Sequence, residues 1–199
     1  MIHIGLTGGI ASGKSAVADL LAERGAIIVD SDVLAREVVA AGTPGFAAVV
    51  ARFGSRVVAD DGELDRAALG NVVFGDAQAR AALEAIIHPA VRARASELVA
   101  AAPPRAVVVE VIPLLVEVGL VDLFDLVVVV DLDPALQRER LQRRNGLSLE
   151  DAQARIAAQT SRERRLTHAD VVIDNTADLA RLRARVDDFW TSWIEPRLH

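Results

Sequence analysis

Cysteine is absent from the 199-residue chain. Its absence removes a disulfide framework, a thiolate zinc site and a cysteine nucleophile, and makes the cytoplasm the default location. Long apolar runs are missing too. Apolar stretches such as Ala106 to Val109 and Leu126 to Val130 fall far short of the roughly 20 residues that a bilayer-spanning helix needs. The sequence opens on a strand pattern without a basic leader, so neither a signal peptide nor a membrane helix is expected. The net charge is −6, which argues against bulk binding of nucleic acid while leaving room for a local basic cluster around a phosphorylated ligand. Lysine occurs once, at Lys14, among 22 lysines and arginines.

What is present describes a folded globular protein, 52% hydrophobic and 25% charged. The length suits one domain, with room for a subdomain inserted between core elements.

The solitary lysine lies in Gly8-Gly9-Ile10-Ala11-Ser12-Gly13-Lys14-Ser15, which fits the phosphate-loop pattern G-x-x-x-x-G-K-[ST] without a mismatch. Context agrees with the pattern: Ile2 to Thr7 reads as a short buried strand, and Ala16 to Arg24 has helical spacing that ends before Gly25. In such a loop the glycines let backbone N–H groups approach phosphate oxygens, and the helix behind adds the positive end of its dipole. Lys14 is expected at the β- and γ-phosphates and the Ser15 hydroxyl at Mg²⁺. A compact ammonium on a flexible stem suits this place better than a guanidinium fork.

Five apolar, β-branched runs read as strands: Ile2 to Thr7, Ala26 to Val29, Ala106 to Ile112, Leu126 to Asp131 and Val171 to Ile173. Helical stretches separate them, so the alternation predicts an α/β fold with a central parallel sheet and ligands at the carboxyl ends of its strands. The long gap from Asp30 to Arg105 reads as a helical insertion punctuated by turns at Gly42-Thr43-Pro44-Gly45, Asp60-Asp61-Gly62 and Pro103-Pro104. Within it, His88-Pro89 is expected to interrupt a helical pattern running from Asp76 to Ala101. A last helix, about Asp178 to Ile194, sets Leu179, Leu182, Val186, Phe189, Trp190 and Trp193 on one face for core packing.

Three constellations carry further chemistry. Asp30-Ser31-Asp32 closes the second strand, where one carboxylate could accept a proton from a substrate hydroxyl, and Ser31 or Asp32 could equally cap the helix that follows. Asp131 and Glu110 compete as the carboxylate of a metal site, and the sequence leaves both open. Arg138, Arg140, Arg143 and Arg144, followed by Arg162, Arg164 and Arg165, read as a lid over transferring phosphate, with Glu139 and Arg143 as a candidate i,i+4 pair.

Taken together, the ordered set resembles the dephospho-CoA kinase family. The matching residues are Ile4 to Ser15, Asp30-Ser31-Asp32 with Ala35-Arg36, His88-Pro89, Pro113-Leu114-Leu115 with Glu117, Gln137 with Arg140, Gln159, and Ala169-Asp170 through Ile173-Asp174-Asn175. The resemblance implies an α/β fold of the P-loop NTPase type, a three-layer sandwich around a five-stranded parallel sheet of order 2-3-1-4-5. It implies a nucleotide-binding core of residues 1–30 and 105–199 with a lid at about 137–165, and a helical acceptor-binding insertion at 31–104. The implied reaction is ATP-dependent phosphorylation of the ribose 3′-hydroxyl of dephospho-CoA with Mg²⁺, and no nucleic acid, membrane or obligate protein partner is expected.

By the same resemblance Asp32 is the general base, and Lys14 and Arg140 stabilise the phosphoryl group. Gly9, Ile10, Ala11, Ser12, Gly13, Lys14, Ser15, Ala16, Arg144 and Asn175 serve ATP, while Arg36, His88, Pro113 and Leu114 shape the acceptor site with Asp32. One departure stands out: Asn175-Thr176-Ala177-Asp178 lacks the glycine that family members often carry two residues after the asparagine. A kinase of another small hydroxyl substrate is the alternative. A regulatory GTPase fits poorly, since its usual N-K-x-D motif needs a second lysine and the chain has none.

Overall fold

The computed structural model describes residues 1–198 and separates into two compact units, one made of Met1–Val29 and the chain from Ala102 onward, the other of Asp30–Ala101. The first unit is built on a five-stranded sheet of order β2-β3-β1-β4-β5, with β1 at Ile2–Gly8, β2 at Ile27–Asp30, β3 at Val107–Val111, β4 at Leu126–Asp131 and β5 at Val171–Asp174. The β1–β3, β1–β4 and β4–β5 pairs are parallel. Each strand follows an apolar run expected from sequence, with no end shifted by more than one residue and β4 matching at both ends.

Alternation along the central strands sends side chains to two separate cores, which makes three layers. Ile4, Leu6, Val109, Val111, Val128 and Val130 face one core, with Val17, Leu20 and Leu21 of α1 (Lys14–Ala22) and Leu182, Val186 and Phe189 of α9 (Leu179–Phe189). Val127 and Val129 face the other, with Leu115, Val116 and Phe124. Strands covered on both faces need no polar residues, which is why they read as unbroken hydrophobic runs.

The end of the chain departs from the expected single helix. A π-helical turn, Trp190–Ile194, follows α9 and leads into α10 (Glu195–Leu198). Trp190 and Trp193 pack against the first core, but Leu179 is 62% exposed and does not join that face.

The second unit is helical: α2 (Ser31–Glu37), α3 (Pro44–Phe53), α4 (Arg66–Val73) and α5 (Ala77–Ala100) enclose their own cluster of Val39, Val49, Phe53, Val57, Leu64, Leu69 and Ala79. The helix α5 corrects one expectation, since its 24 residues run unbroken through Pro89. A proline there removes the hydrogen bond to the carbonyl of Ala85 and costs about 3 kcal/mol in an isolated helix. Packing of Leu83, Ile86 and Ile87 against the cluster, on the turns before the proline, offsets that penalty.

The remaining helices α6 (Pro134–Asn145), α7 (Leu149–Ala157) and α8 (Arg162–Leu166) join β4 to β5. No helix among the described residues is long and apolar enough to cross a membrane.

Candidate functional site

The loop between β1 and α1 has a backbone that only certain residues tolerate. Gly13 sits at φ +96 and Ala11 at φ +58, the one non-glycine residue with positive φ among those described. An alanine in that left-handed region is strained by roughly 1–2 kcal/mol. Such strain persists only where the surroundings over-determine the conformation.

Helix starts elsewhere in the chain sharpen the contrast. Every α-helix from α2 to α9 opens on an Asp, Ser or Thr whose side chain accepts first-turn N–H bonds. The helix α1 opens on Gly13 with no side-chain cap. An anion suits the positive end of a helix that opens in this way.

The carbonyls of the loop, by contrast, are held. Lys14 Nζ donates to Gly8 O at 2.9 Å and Gly9 O at 3.2 Å, Gln137 Nε2 to Ile10 O at 3.1 Å, and Asn175 Nδ2 to Ser12 O at 2.7 Å. Ile10 N–H donates to Gln159 Oε1 at 2.7 Å. The glycines make room for these grips: a Cβ on Gly9 would lie 2.1 Å from Gln137 Nε2, and one on Gly13 would lie 2.2 Å from Asn175 Nδ2. Ser12 is fully buried and its Oγ has no partner among the described residues.

Arg140 belongs to this assembly. Its guanidinium donates to Asn175 O at 2.8 Å, and its other terminal nitrogen lies 3.8 Å from where a Gly13 Cβ would be. Arg144 stands apart, exposed and bonded to its neighbour Asn145 at 3.1 Å. Arg143 pairs with Glu139 at 3.7 Å on an exposed helix face, where such a pair contributes little. Asn175 itself is 6% exposed and spends its amide on Ser12. The turn after it holds without glycine because Asp174 Oδ1 accepts from Thr176 N–H at 2.8 Å.

Register separates the two metal-carboxylate candidates. Glu110 pairs in register with Gly5, three residues before Gly8 and thus about 10 Å down the strand, and it is bonded to His3 Nε2 at 2.7 Å. Asp131 follows Val130, the partner of Gly8, so it lies level with the start of the loop. It receives Arg162 in a two-point contact of 2.8 and 2.6 Å, which raises the Arg162 pKa above its ordinary value.

Arg165 is a buried cation that the lid reading did not single out. Its guanidinium lies 3.3 Å from a Gly9 Cβ position, donates to Thr160 O at 3.0 Å, and sits 4.0 Å from Glu117. Burial lowers its pKa, opposed by the charges of Glu117 and Asp131. Glu117 also accepts from Thr160 N–H at 2.9 Å. Pro113 accepts from Thr7 Oγ1 at 3.4 Å; beside it Leu114 is 43% exposed, whereas Leu115 is buried in the core.

In the helical unit the aspartate pair divides its roles. Asp30, not Ser31 or Asp32, caps α2, its Oδ1 accepting from Asp32 N at 2.8 Å and Val33 N at 3.3 Å. That corrects the expected capping residue and leaves the exposed Asp32 carboxylate without a partner among the described residues. Arg36 lies four residues on, on the same helix face. The helices α2 and α5 are tied by Arg94 and Glu37 at 2.7 Å. His88 is exposed on α5 and its side chain makes no hydrogen bond among the described residues, so it does not pin a kink.

Comparison with known proteins agrees on one family. The dephospho-CoA kinase family model matches residues 2–181. A dephospho-CoA kinase of Streptomyces avermitilis is 54% identical over 194 residues, covering 98% of this chain and 95% of that protein. A crystal structure from Thermus thermophilus superposes with TM-score 0.80 at 34% identity, covering 96% of this chain and 97% of the other. A dephospho-CoA kinase structure from Campylobacter jejuni gives TM-score 0.74 at 27% identity, covering 98% of each chain.

Proposed function

The chain belongs to the dephospho-CoA kinase family, and from that premise we propose that it transfers the γ-phosphoryl group of ATP to the ribose 3′-hydroxyl of dephospho-CoA, the final step of coenzyme A synthesis. The observation that carries the reading is the loop itself. Its carbonyls are turned outward onto side chains, its helix start is uncapped, and the single lysine of the chain lies within it.

Phosphoryl transfer asks little covalent chemistry of a protein and much positioning and charge stabilisation. Lys14 and Arg140 supply positive charge where negative charge spreads over the transferring group. Asp32 accepts the proton of the 3′-hydroxyl as general base; its carboxylate is spared helix capping by Asp30. Residues Gly9 to Ala16 hold the phosphates, Arg144 and the stretch around Asn175 lie toward the rest of ATP, and Arg36, His88, Pro113 and Leu114 contribute to the acceptor site.

The residue types present suit a magnesium ion: the Ser15 hydroxyl lies in the first turn of α1, and Asp131, whose two oxygens are held by Arg162 at 2.8 and 2.6 Å, is the carboxylate level with the loop that would have to exchange that contact for the ion. When bound, the ion would neutralise charge on the β- and γ-phosphates. The helical insertion at 31–104 is read as the acceptor-binding part, the segment at about 137–165 as a lid, and the cytoplasm as the site of action.

The test is ADP formation from ATP and Mg²⁺ with dephospho-CoA against a panel of small alcohols. Turnover dependent on dephospho-CoA is expected. Turnover with another alcohol and none with dephospho-CoA would sink the reading in favour of a different small-hydroxyl kinase.

A further inference from the structure

Two glutamines with no role assigned so far grip the same residue of the phosphate loop from opposite directions. Gln137, on α6, donates through Nε2 to Ile10 O at 3.1 Å. Gln159, in the link between α7 and α8, accepts Ile10 N–H through Oε1 at 2.7 Å. We propose that Gln137 and Gln159 are a pair of positioning residues that turn two consecutive peptide groups of the loop in opposite senses, and so aim the Ala11 N–H at the phosphate.

The argument rests on peptide planarity. In a trans peptide the C=O of one residue and the N–H of the next point in opposite directions, and no cis bond occurs among the described residues. Fixing Ile10 O on Gln137 therefore turns the Ala11 N–H away from Gln137. Fixing the Ile10 N–H on Gln159 turns Gly9 O away from Gln159, and that oxygen is found accepting from Lys14 Nζ at 3.2 Å and Ser12 N at 3.1 Å. Ala11 N–H makes no hydrogen bond among the described residues.

The consequence is visible in the backbone. Ala11 sits at φ +58, a conformation an alanine leaves when nothing holds it. The grips on Ile10 before it and the Asn175 grip on Ser12 O after it supply that restraint from both sides. Gln137 is 6% exposed and pressed against Gly9, so its amide has little freedom to turn round. Because both glutamines come from the segment read as a lid, they also tie that segment to the loop.

The pair uses one side-chain type in opposite roles, donor at 137 and acceptor at 159, and this makes the proposal testable apart from packing. A glutamate can replace an acceptor but not a donor; a methionine fills the space and does neither. Gln159→Glu should therefore outperform Gln159→Met in kcat/KM for ATP, whereas Gln137→Glu should fall below Gln137→Met, each by about tenfold. Both glutamates bring the same charge to the same residue, Ile10, so repulsion of phosphate alone cannot produce opposite orders. The same order at both positions would overturn the proposal.

A second readout needs no catalysis: in the nucleotide-free protein, Gln159→Met should speed Ile10 amide exchange at least about tenfold and Gln159→Glu should not. Unchanged exchange in Gln159→Met would also overturn it. If Gln137→Glu fails to fold, the Gln159 pair decides. The proposal rests on reading the loop as the ATP site, and the two fail separately. The parent's turnover with dephospho-CoA tests the kinase reading, while Ile10 exchange tests the grip.

Discussion

Gly13→Ala and Gly25→Ala separate what the backbone demands from what the site demands. Gly13 sits at φ +96 and Gly25 at φ +94, so an alanine meets nearly the same torsional penalty at either place. That penalty is about 1–2 kcal/mol, reduced by about 0.4–1 kcal/mol because alanine also restricts the unfolded chain. Around Gly25 a new Cβ meets nothing within 4 Å, whereas at Gly13 it lies 2.2 Å from Asn175 Nδ2. Asn175 cannot retreat cheaply, since it is 6% exposed, bonded to Ser12 O at 2.7 Å, and held at its own carbonyl by Arg140 at 2.8 Å.

Displacing Asn175 leaves Ser12 O without its buried donor, a loss of about 1–3 kcal/mol beyond the torsional cost. At roughly 2–4 °C per kcal/mol for a chain of this size, Gly13→Ala should melt about 2–12 °C below Gly25→Ala. A second difference follows from the same bond. Freeing Ser12 O releases the direction of the Gly13 N–H, so Gly13→Ala should also weaken ATP binding, measured by calorimetry, while Gly25→Ala should not. Equal melting points with equal ATP affinity would refute the claim that Asn175 braces the loop.

Lys14→Ala should lower kcat by orders of magnitude with the circular dichroism spectrum unchanged, because charge and positioning supply nearly all the catalysis in phosphoryl transfer; near-normal kcat would contradict its role. Asp32→Asn should cut kcat by about 10²–10⁴ with little effect on melting or ATP affinity. Asp30→Ala should instead cost about 1 kcal/mol in thermal stability as a lost helix cap, and a reversal of these two outcomes would exchange the assigned roles. Asp131→Asn should raise the Mg²⁺ concentration needed for half-maximal turnover more than Glu110→Gln does, since only Asp131 is level with the loop. The opposite order would point to Glu110.

The loop and the strands were legible because their signals are contiguous: glycines, one lysine and a helix in Gly8 to Ser15, and unbroken apolar runs where strands are covered twice. What escaped was decided over distance or by a choice between neighbours. Asp30 and Asp32 are two residues apart with the same chemistry, and only the backbone geometry tells cap from open carboxylate. Pro89 predicted a broken helix because the rule is local, whereas the packing that carries α5 through it is not. Glu110 and Asp131 differ by strand register, which no single segment contains. The grips of Gln137, Gln159 and Asn175 join positions 127, 149 and 163 residues apart. A faint signal did exist for Gln137: it lies four residues before Leu141, and both fall on the buried face of α6.

The choice of uncharged amides for these grips follows from what the loop has to hold. A lysine or arginine at position 137 or 175 would bind a carbonyl about twice as strongly, but it would also draw the phosphate toward itself. A carboxylate at 159 would take the Ile10 N–H and repel the phosphate. Amides hold backbone groups of either polarity and add no net charge to the field at the phosphates. The two cations proposed for the phosphoryl group lie by the loop: Lys14 within it, and Arg140 with a terminal nitrogen 3.8 Å from the Gly13 Cβ position. Arg162 and Arg165 are instead paired with carboxylates, Asp131 at 2.6 Å and Glu117 at 4.0 Å. In this division of labour a second lysine near the loop would be a liability: it would offer the phosphate an off-line site of equal strength.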